Sequence, residues 1–315
     1  MLLKNEIKNI LKDGLYNSSL AGSVIRRNRN RLCILCYHRI TAPDNRFRYL
    51  GIPQDIFEQH IVFLKKHFEI ASFDKGMGKL RSGSIKKPLL VLNFDDGYRD
   101  NYLYAFPILK KYGITASIFL TVDYIGTKKS FWWDSVRDII VNSPKSAGLK
   151  EDIVMIENIN RSLKKLLNEE ERYLKIQKLK QEFCFKEKSS KERDILNWRE
   201  IKEMRDCGID FGSHTLTHPD LTLLKKDEAR KEISHSKEIL EQALDKKVSG
   251  FAYPYGSFND DVKEIVKDSS YSYARTCLKG FNNAYEDIFS LKQIDGSTNH
   301  IAHLAARLCY RGIRL

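Results

Sequence analysis

The chain is 315 residues long and carries 54 Lys and Arg against 41 Asp and Glu, a formal charge of +13. Hydrophobic residues make up 42% and aromatic residues 11%, enough for a sizeable core, which excludes a wholly disordered chain. No apolar run approaches the roughly 20 residues that cross a bilayer. The start, MLLKNEIKNILKDGLYNSSL, interrupts each apolar stretch with charge, which predicts a cytoplasmic protein without a secretory leader.

Residues 1–31 read as a basic arm, with Arg26, Arg27, Arg29 and Arg31 gathered at its end. That cluster, after an amphipathic start, suits peripheral contact with an anionic membrane, here the inner face of the cell membrane. The remaining basic residues are spread through Lys-rich helices without any RNP, zinc-finger or helix-turn-helix pattern, so no nucleic-acid partner is expected. LCILCY (32–37) predicts the first buried strand, ending at His38. Alternation puts Cys33 and Cys36 on opposite faces, so their C-x-x-C spacing reads as two buried thiols. Residues 53–68 follow a helical period with Pro53 near the first turn. LLVLNF (89–94) is the next strand and ends at Asp95. A helix from Asn101 to Tyr112 stops at Gly113, and ITASIFL (114–120) follows as a strand.

From about 128 to 196 the rhythm gives way to a charge-rich helical stretch with Leu163, Leu167, Leu174 and Leu179 as apolar points, an inserted helical subdomain. The alternation then resumes. A helix from Trp198 stops at Gly208, and strand IDFGS, a helix around 226–245, strand VSGFAY, a helix around 259–268 and strand YSYARTC follow. A last strand near 288–294 and a helix from about 299 end the chain. Repeated βα units predict an α/β fold with a parallel sheet under helices. Seven or so strands without G-x-G-x-x-G favour a barrel over a doubly wound sheet. Residues 32–315 are thus expected to form one barrel carrying the insertion.

The polar residues a barrel core would not need sit at strand ends. His38 follows the first strand, Asp95 and Asp96 follow LLVLNF, His214 and His218 follow IDFGS, and the Pro254-Tyr255-Gly256 turn follows GFAY. In a βα barrel those ends converge on one mouth, where active sites form. His214 and His218, four apart, suit a divalent metal, although H-x-x-x-H alone also fits ordinary surface histidines. Asp96 could complete a His₂-carboxylate set with a position left for water. Adjacent carboxylates before Gly97 are costly to bury without partners. Either they divide the work, one on a metal and one as a base, or they cap the helix that follows.

NFDDGYRDN (93–101), SHTLTH (213–218) and FAYPYG (251–256), in that order, resemble the motifs of the metal-dependent polysaccharide deacetylases with a NodB-type domain, carbohydrate esterase family 4. The resemblance covers roughly 32–127 and 197–300 and implies a distorted (β/α)7 barrel of NodB type. It further implies Asp95 as general base and Asp96, His214 and His218 as ligands of a divalent metal, Zn²⁺ before Co²⁺, Ni²⁺ or Mn²⁺. The backbone N–H of Tyr255 becomes an oxyanion donor. Two features depart from the pattern. The arginine that the family places two residues before the proline is Ala252 here, and the C-terminal Leu-x-His lacks a clean counterpart, because His300 and His303 stand in a helical context. CYHRI is similar to the N-terminal motif of the branch that deacetylates biofilm poly-N-acetylglucosamine, where the acid histidine lies on the first strand; this implies His38 as general acid. Tyr98, Tyr253 and Pro254 are candidate sugar contacts, with Tyr37 and Tyr102 as further aromatics for a groove; Trp132 and Trp133, in FWWD (131–134), are expected to pack the insertion against the barrel, with a sugar platform as the second reading.

The reaction implied is removal of an N-acetyl group from an acetamido sugar, in a cell-surface polysaccharide or its lipid-linked precursor. Two other readings stay open. One is hydrolysis of another C–N bond, as in a sugar deformylase. The other is a barrel impaired in catalysis by the missing arginine, which only binds glycan.

Overall fold

Seven parallel strands close on themselves, because the first strand finds a neighbour on each side. In chain order the strands are β1 (Leu32–Tyr37), β2 (Ile40–Thr41), β3 (Ile52–Pro53), β4 (Glu69–Ala71), β5 (Leu89–Phe94), β6 (Ser117–Leu120), β7 (Asp210–Ser213), β8 (Gly250–Ala252), β9 (Tyr273–Lys279) and β10 (Leu291–Asp295). The sheet runs β1-β10-β9-β8-β7-β6-β5, and β5 pairs back onto β1 from Leu32↔Leu89 to Tyr37↔Phe94. The result is a closed (β/α)7 barrel. The computed structural model describes residues 20–26, 30–42, 51–166, 169–186 and 192–309; Arg27 and Arg29 of the basic arm lie outside them. No helix among the described residues is long and apolar enough to cross a membrane.

Both LCILCY and LLVLNF are buried at every position, as strands covered on two faces must be. Alternate residues serve the two sides. Leu32, Ile34, Leu89 and Val91 join Phe119, Ala252, Tyr273 and Leu291 in an interior cluster. Cys33, Leu35, Tyr37, Leu90, Leu92 and Phe94 join the outer cluster under the helices. The two cysteines of LCILCY do face opposite ways, since Cys36 Sγ points to Asp95.

One unit of the barrel is absent from the sequence reading. β4 pairs with the first half of β5 (Glu69↔Leu89 to Ala71↔Val91), and helix α1 (Phe73–Arg81) then plugs the N-terminal end. Phe73 stacks on Tyr273 with ring centroids 4.6 Å apart and meets Phe119 edge-on at 5.8 Å. Gly76 lets the helix approach, since a Cβ there would lie 2.9 Å from Val91 Cγ2. Above this apolar plug the interior turns polar: Cys36 pairs in register with Asn93, and Ala252 with Arg275. The helix expected from Asn101 begins instead as a π turn (Asn101–Ala105) and becomes α-helical only at Phe106–Tyr112. Pro107, which cannot donate in a regular ladder, follows that turn directly.

Residues Thr127–Asp194 form a separate unit of helices Trp132–Val141, Leu149–Lys164 and Glu169–Glu182. Its own core contains Val136, Ile139, Ile140, Ile156, Leu163, Ile176 and Phe183. Leu174, expected as an apolar point, is exposed, and Leu167 lies outside the described residues.

A histidine is sealed between β1 and helix α2 (Gln54–His67). His60 is fully buried, and its Nδ1 is hydrogen-bonded to the Tyr37 hydroxyl at 3.0 Å. Burial, followed by the Arg307 charge, lowers its pKa to about 3. The unfolded chain therefore binds this proton first as pH falls, so stability is lost between the ordinary histidine value of about 6.5 and about 3. Urea midpoints measured from pH 7 to pH 4 should fall less steeply in His60→Gln, which keeps an acceptor for Tyr37 but does not titrate; equal slopes would remove His60 as a source of the acid sensitivity.

Candidate active site

The C-terminal ends of β1, β5, β7 and β8 carry His38, Asp95 with Asp96, His214 with His218, and Tyr255. What the two aspartates face is decided by backbone geometry. Asp96 and Gly97 both adopt left-handed conformations, φ 71° and 74°, and a Cβ at residue 97 would lie 2.7 Å from Leu120 Cδ2, so glycine is required there. The turn sends the two carboxylates to different partners.

Asp96 goes to the histidines. Its Oδ1 lies 3.5 Å from His214 Nε2 and 3.5 Å from His218 Nε2, and all three residues are buried. Donors held about 2.0–2.2 Å from a tetrahedral metal stand roughly 3.3–3.6 Å from one another, so the spacing is that of a ligand set. The chemistry of the donors agrees. His214 Nδ1 donates to the Ala252 carbonyl at 2.7 Å, which fixes the tautomer and leaves the Nε2 lone pair facing Asp96. Burial lowers the His214 pKa to about 4, so the ring is neutral, as a ligand must be. The loop that carries the pair is strained and pinned. Thr215 and His218 have φ of 68° and 67°. Thr215 Oγ1 donates to the His214 carbonyl and accepts the His218 N–H. Glu232, on the helix Lys226–Leu244, accepts the Leu216 and Thr217 N–H groups and the Thr217 hydroxyl. The residues present fit a divalent cation.

Asp95 turns the other way. Its Oδ1 receives the Arg275 guanidinium, while Oδ2 lies 3.3 Å from Cys36 Sγ and 3.7 Å from His38 Nε2. Arg275 is 1% exposed, donates also to Gln293 Oε1 at 2.7 Å, and lies 4.9 Å above the Phe119 ring. The sequence reading did not single it out. It is the strand partner of Ala252, so the guanidinium missing from β8 reaches the same level from β9. The visible signal was an arginine inside the otherwise apolar YSYARTC strand, where a buried charge demands a partner.

His38 is held through its backbone. Asn101 Nδ2 donates to the His38 carbonyl at 2.9 Å, and Asp100 accepts the Ile40 N–H and pairs with Arg39 at 2.7 Å. Arg39 in turn lies 4.4 Å above the Tyr98 ring. Half of the His38 side chain is open to the mouth. The part of the ring turned into the cleft is desolvated and faces the Arg275 charge, and both lower its pKa. The ring of Tyr255 meets His218 edge-on at 4.7 Å, and Tyr255 is left-handed at φ 58°. The other expected contacts lie in the wall: Tyr98, Tyr253 and Pro254 are all buried, and the Tyr253 hydroxyl donates to the Phe289 carbonyl. Tyr37 is spent on His60, and Tyr102 donates to Glu203. The rings of His300 and His303 lie 5.0 Å apart and tilted by 54° at the C-terminal helix Ile301–Cys309.

Comparison with known proteins bears on this mouth. The family profile described as polysaccharide deacetylase matches residues 82–148 and 156–274. YxkH of Bacillus subtilis (strain 168), a candidate polysaccharide deacetylase, is 23% identical over 267 residues, 84% of this chain and 71% of that protein. The poly-beta-1,6-N-acetyl-D-glucosamine N-deacetylase of Staphylococcus aureus (strain MRSA252) is 23% identical over 271 residues, 79% of this chain and 73% of its own. Among solved structures, the Streptococcus pyogenes deacetylase PplD in complex with acetate aligns with a TM-score of 0.62 at 21% identity, covering 89% of this chain and 98% of that one. IcaB from Ammonifex degensii aligns at 0.61 and 20%, covering 89% and 97%. These structural likenesses concern the fold.

The Arg275–Asp95 pair makes a measurable demand. Arg275→Met leaves a buried carboxylate without its counter-charge and should cost about 3–5 kcal/mol in urea denaturation. Asp95→Asn combined with Arg275→Met should cost less than the arginine change alone, since the stranded charge is gone. A loss in the double variant equal to the sum of the two singles would show that the pair does not interact.

Proposed function

The chain belongs to the polysaccharide deacetylase family, and from that we propose that it is a metal-dependent hydrolase that removes N-acetyl groups from an acetamido sugar of a cell-surface polysaccharide or its lipid-linked precursor. The observation that carries the reading is the division at the barrel mouth: Asp96 faces two imidazoles, and Asp95 faces an arginine and His38. A cation held by Asp96, His214 and His218, with Zn²⁺ preferred for this donor set, would supply Lewis acidity toward the acyl oxygen and acidify water toward a pKa of about 7.

The chain's own groups do the rest. Arg275 keeps Asp95 ionised in a buried setting, so Asp95 Oδ2 can take the proton of the attacking water. The Tyr255 N–H is proposed as a donor to the oxyanion, a contact whose removal typically costs about 10²–10³ in rate. His38 Nε2, 3.7 Å from Oδ2, is placed to receive that proton and pass it to the departing nitrogen. The C–N bond breaks, acetate leaves, and a free amino sugar remains. The reading of a barrel without catalysis rested on Ala252; Arg275, its strand partner, bonds Asp95, which favours the catalytic reading. A deformylase would use the same groups, so identification of the acid released, acetate or formate, separates the two.

All six cysteines are free, and Cys184, Cys207 and Cys277 are exposed, which supports a reducing, cytoplasmic setting. The proposed membrane contact rests on the arginine cluster of the arm.

Two experiments test these readings. Asp95→Asn should lower acetate release from N-acetylhexosamine oligomers by about 10²–10⁴ while bound metal stays at wild-type content; His214→Ala should lose both. Wild-type activity in metal-free protein, or in Asp95→Asn, would end the proposal. Separately, changing Arg26, Arg27, Arg29 and Arg31 to Gln should weaken binding to phosphatidylglycerol vesicles by up to about 10³-fold, at roughly 1 kcal/mol per arginine; unchanged sedimentation would leave the arm without that role.

A further inference from the structure

Cys36 takes no part in the reaction above, yet its surroundings are those of a ligand. Its Sγ lies 3.3 Å from Asp95 Oδ2, and His38 Nε2 lies 3.7 Å from the same oxygen. The sulfur, the imidazole nitrogen and the carboxylate oxygen all fall within 4.8 Å of one another. We propose that Cys36, His38 and Asp95 form a second cation site beside the Asp96 site, selective for a soft divalent metal such as Cd²⁺ or excess Zn²⁺, and that filling it silences the enzyme.

Three features favour this over a chance gathering of polar groups. The first is spacing: ligands about 2.0–2.3 Å from a tetrahedral metal are separated by roughly 3.3–3.8 Å, and both measured separations from Asp95 Oδ2 lie in that interval. The second is the orientation of the base. Arg275 occupies Oδ1 and leaves Oδ2 turned to the thiol and the imidazole. The third is access. Cys36 and Asp95 are buried, whereas His38 opens to the mouth, so a cation can enter and keep a solvent ligand.

The same surroundings set the selectivity. A thiol sulfur beside an imidazole nitrogen and a single carboxylate oxygen is a donor set for soft and borderline metals, which excludes the oxygen-seeking Mg²⁺ and Ca²⁺; the thiol proton leaves to solvent as the metal–sulfur bond forms. The Asp96 site contains no sulfur, so the two sites differ in kind. Filling the second removes Asp95 and His38 together, the proposed base and acid. That inhibitory consequence rests on the proposed function; the binding itself does not.

The test uses the full chain with Cys184, Cys207 and Cys277 changed to Ser, which removes the exposed thiols. With the Asp96 site first filled by one equivalent of Zn²⁺, Cd²⁺ is titrated in while the ultraviolet thiolate-to-cadmium absorption band is followed, a signal to which an oxygen and nitrogen site cannot contribute. The band should saturate at one equivalent and vanish in Cys36→Ser. Because Cys36 is buried, His38→Ala at an open position provides a second reading, with affinity for the sulfur-bound cation expected to fall roughly tenfold or more. No band, or a band that survives both changes, overturns the site. Acetate release should fall in step with the band, and undiminished release at saturation would overturn the inhibition. A chain that shows the band but never releases acetate would keep the site and remove the reaction.

Discussion

Like charges three or four ångströms apart cannot both stay ionised in a buried site, and Asp95 and Asp96 are neighbours in the chain. The left-handed turn through Asp96 and Gly97 resolves this by aiming the two carboxylates at different partners. Each then faces its own set of partners: two imidazole nitrogens at the spacing of a cation site on one side, a guanidinium on the other. Much of the rest of the barrel mouth serves that separation. Thr215, His218 and Tyr255 also hold left-handed backbone conformations, each costing on the order of 1–3 kcal/mol. Such strain persists only where surrounding bonds over-determine it, and the Glu232 carboxylate with its three donors is one such anchor.

Beneath the mouth the barrel interior is layered. Aromatic rings and aliphatic side chains fill the N-terminal half, capped by the helix Phe73–Arg81. Arg275 lies at the boundary, with the Phe119 ring on one side and Asp95 on the other. An arginine there is stable because its planar group stacks on an aromatic face while its edge pairs with a carboxylate. Lysine, a compact and strongly hydrated charge, could not do both.

The parts of the site that the sequence made legible were those carried by local order. His38, the two aspartates and the two histidines each end a strongly apolar strand, and parallel strands in a barrel bring such ends together. Arg275 was not legible in this way. Its partner Asp95 lies 180 positions away, and the equivalence of Ala252 and Arg275 exists only in the register between β8 and β9. The unit from Glu69 to Arg81 was missed for a different reason. β4 is three residues long, and the helix FDKGMGKLR interrupts its apolar stripe with two glycines, one of which is there to allow close packing on Val91. The clamp of Asp100 and Asn101 on the His38 segment was hidden because DDGYRDN reads locally as a turn and helix start.

The packed rings of Phe73, Tyr273 and Phe119 also govern traffic. A barrel filled from below is a blind alley, with a floor of packed side chains where a tunnel would need a second exit. Whatever is cleaved beside Asp95 must leave by the route through which it came. On the proposed reaction, acid and amino sugar would therefore share one doorway.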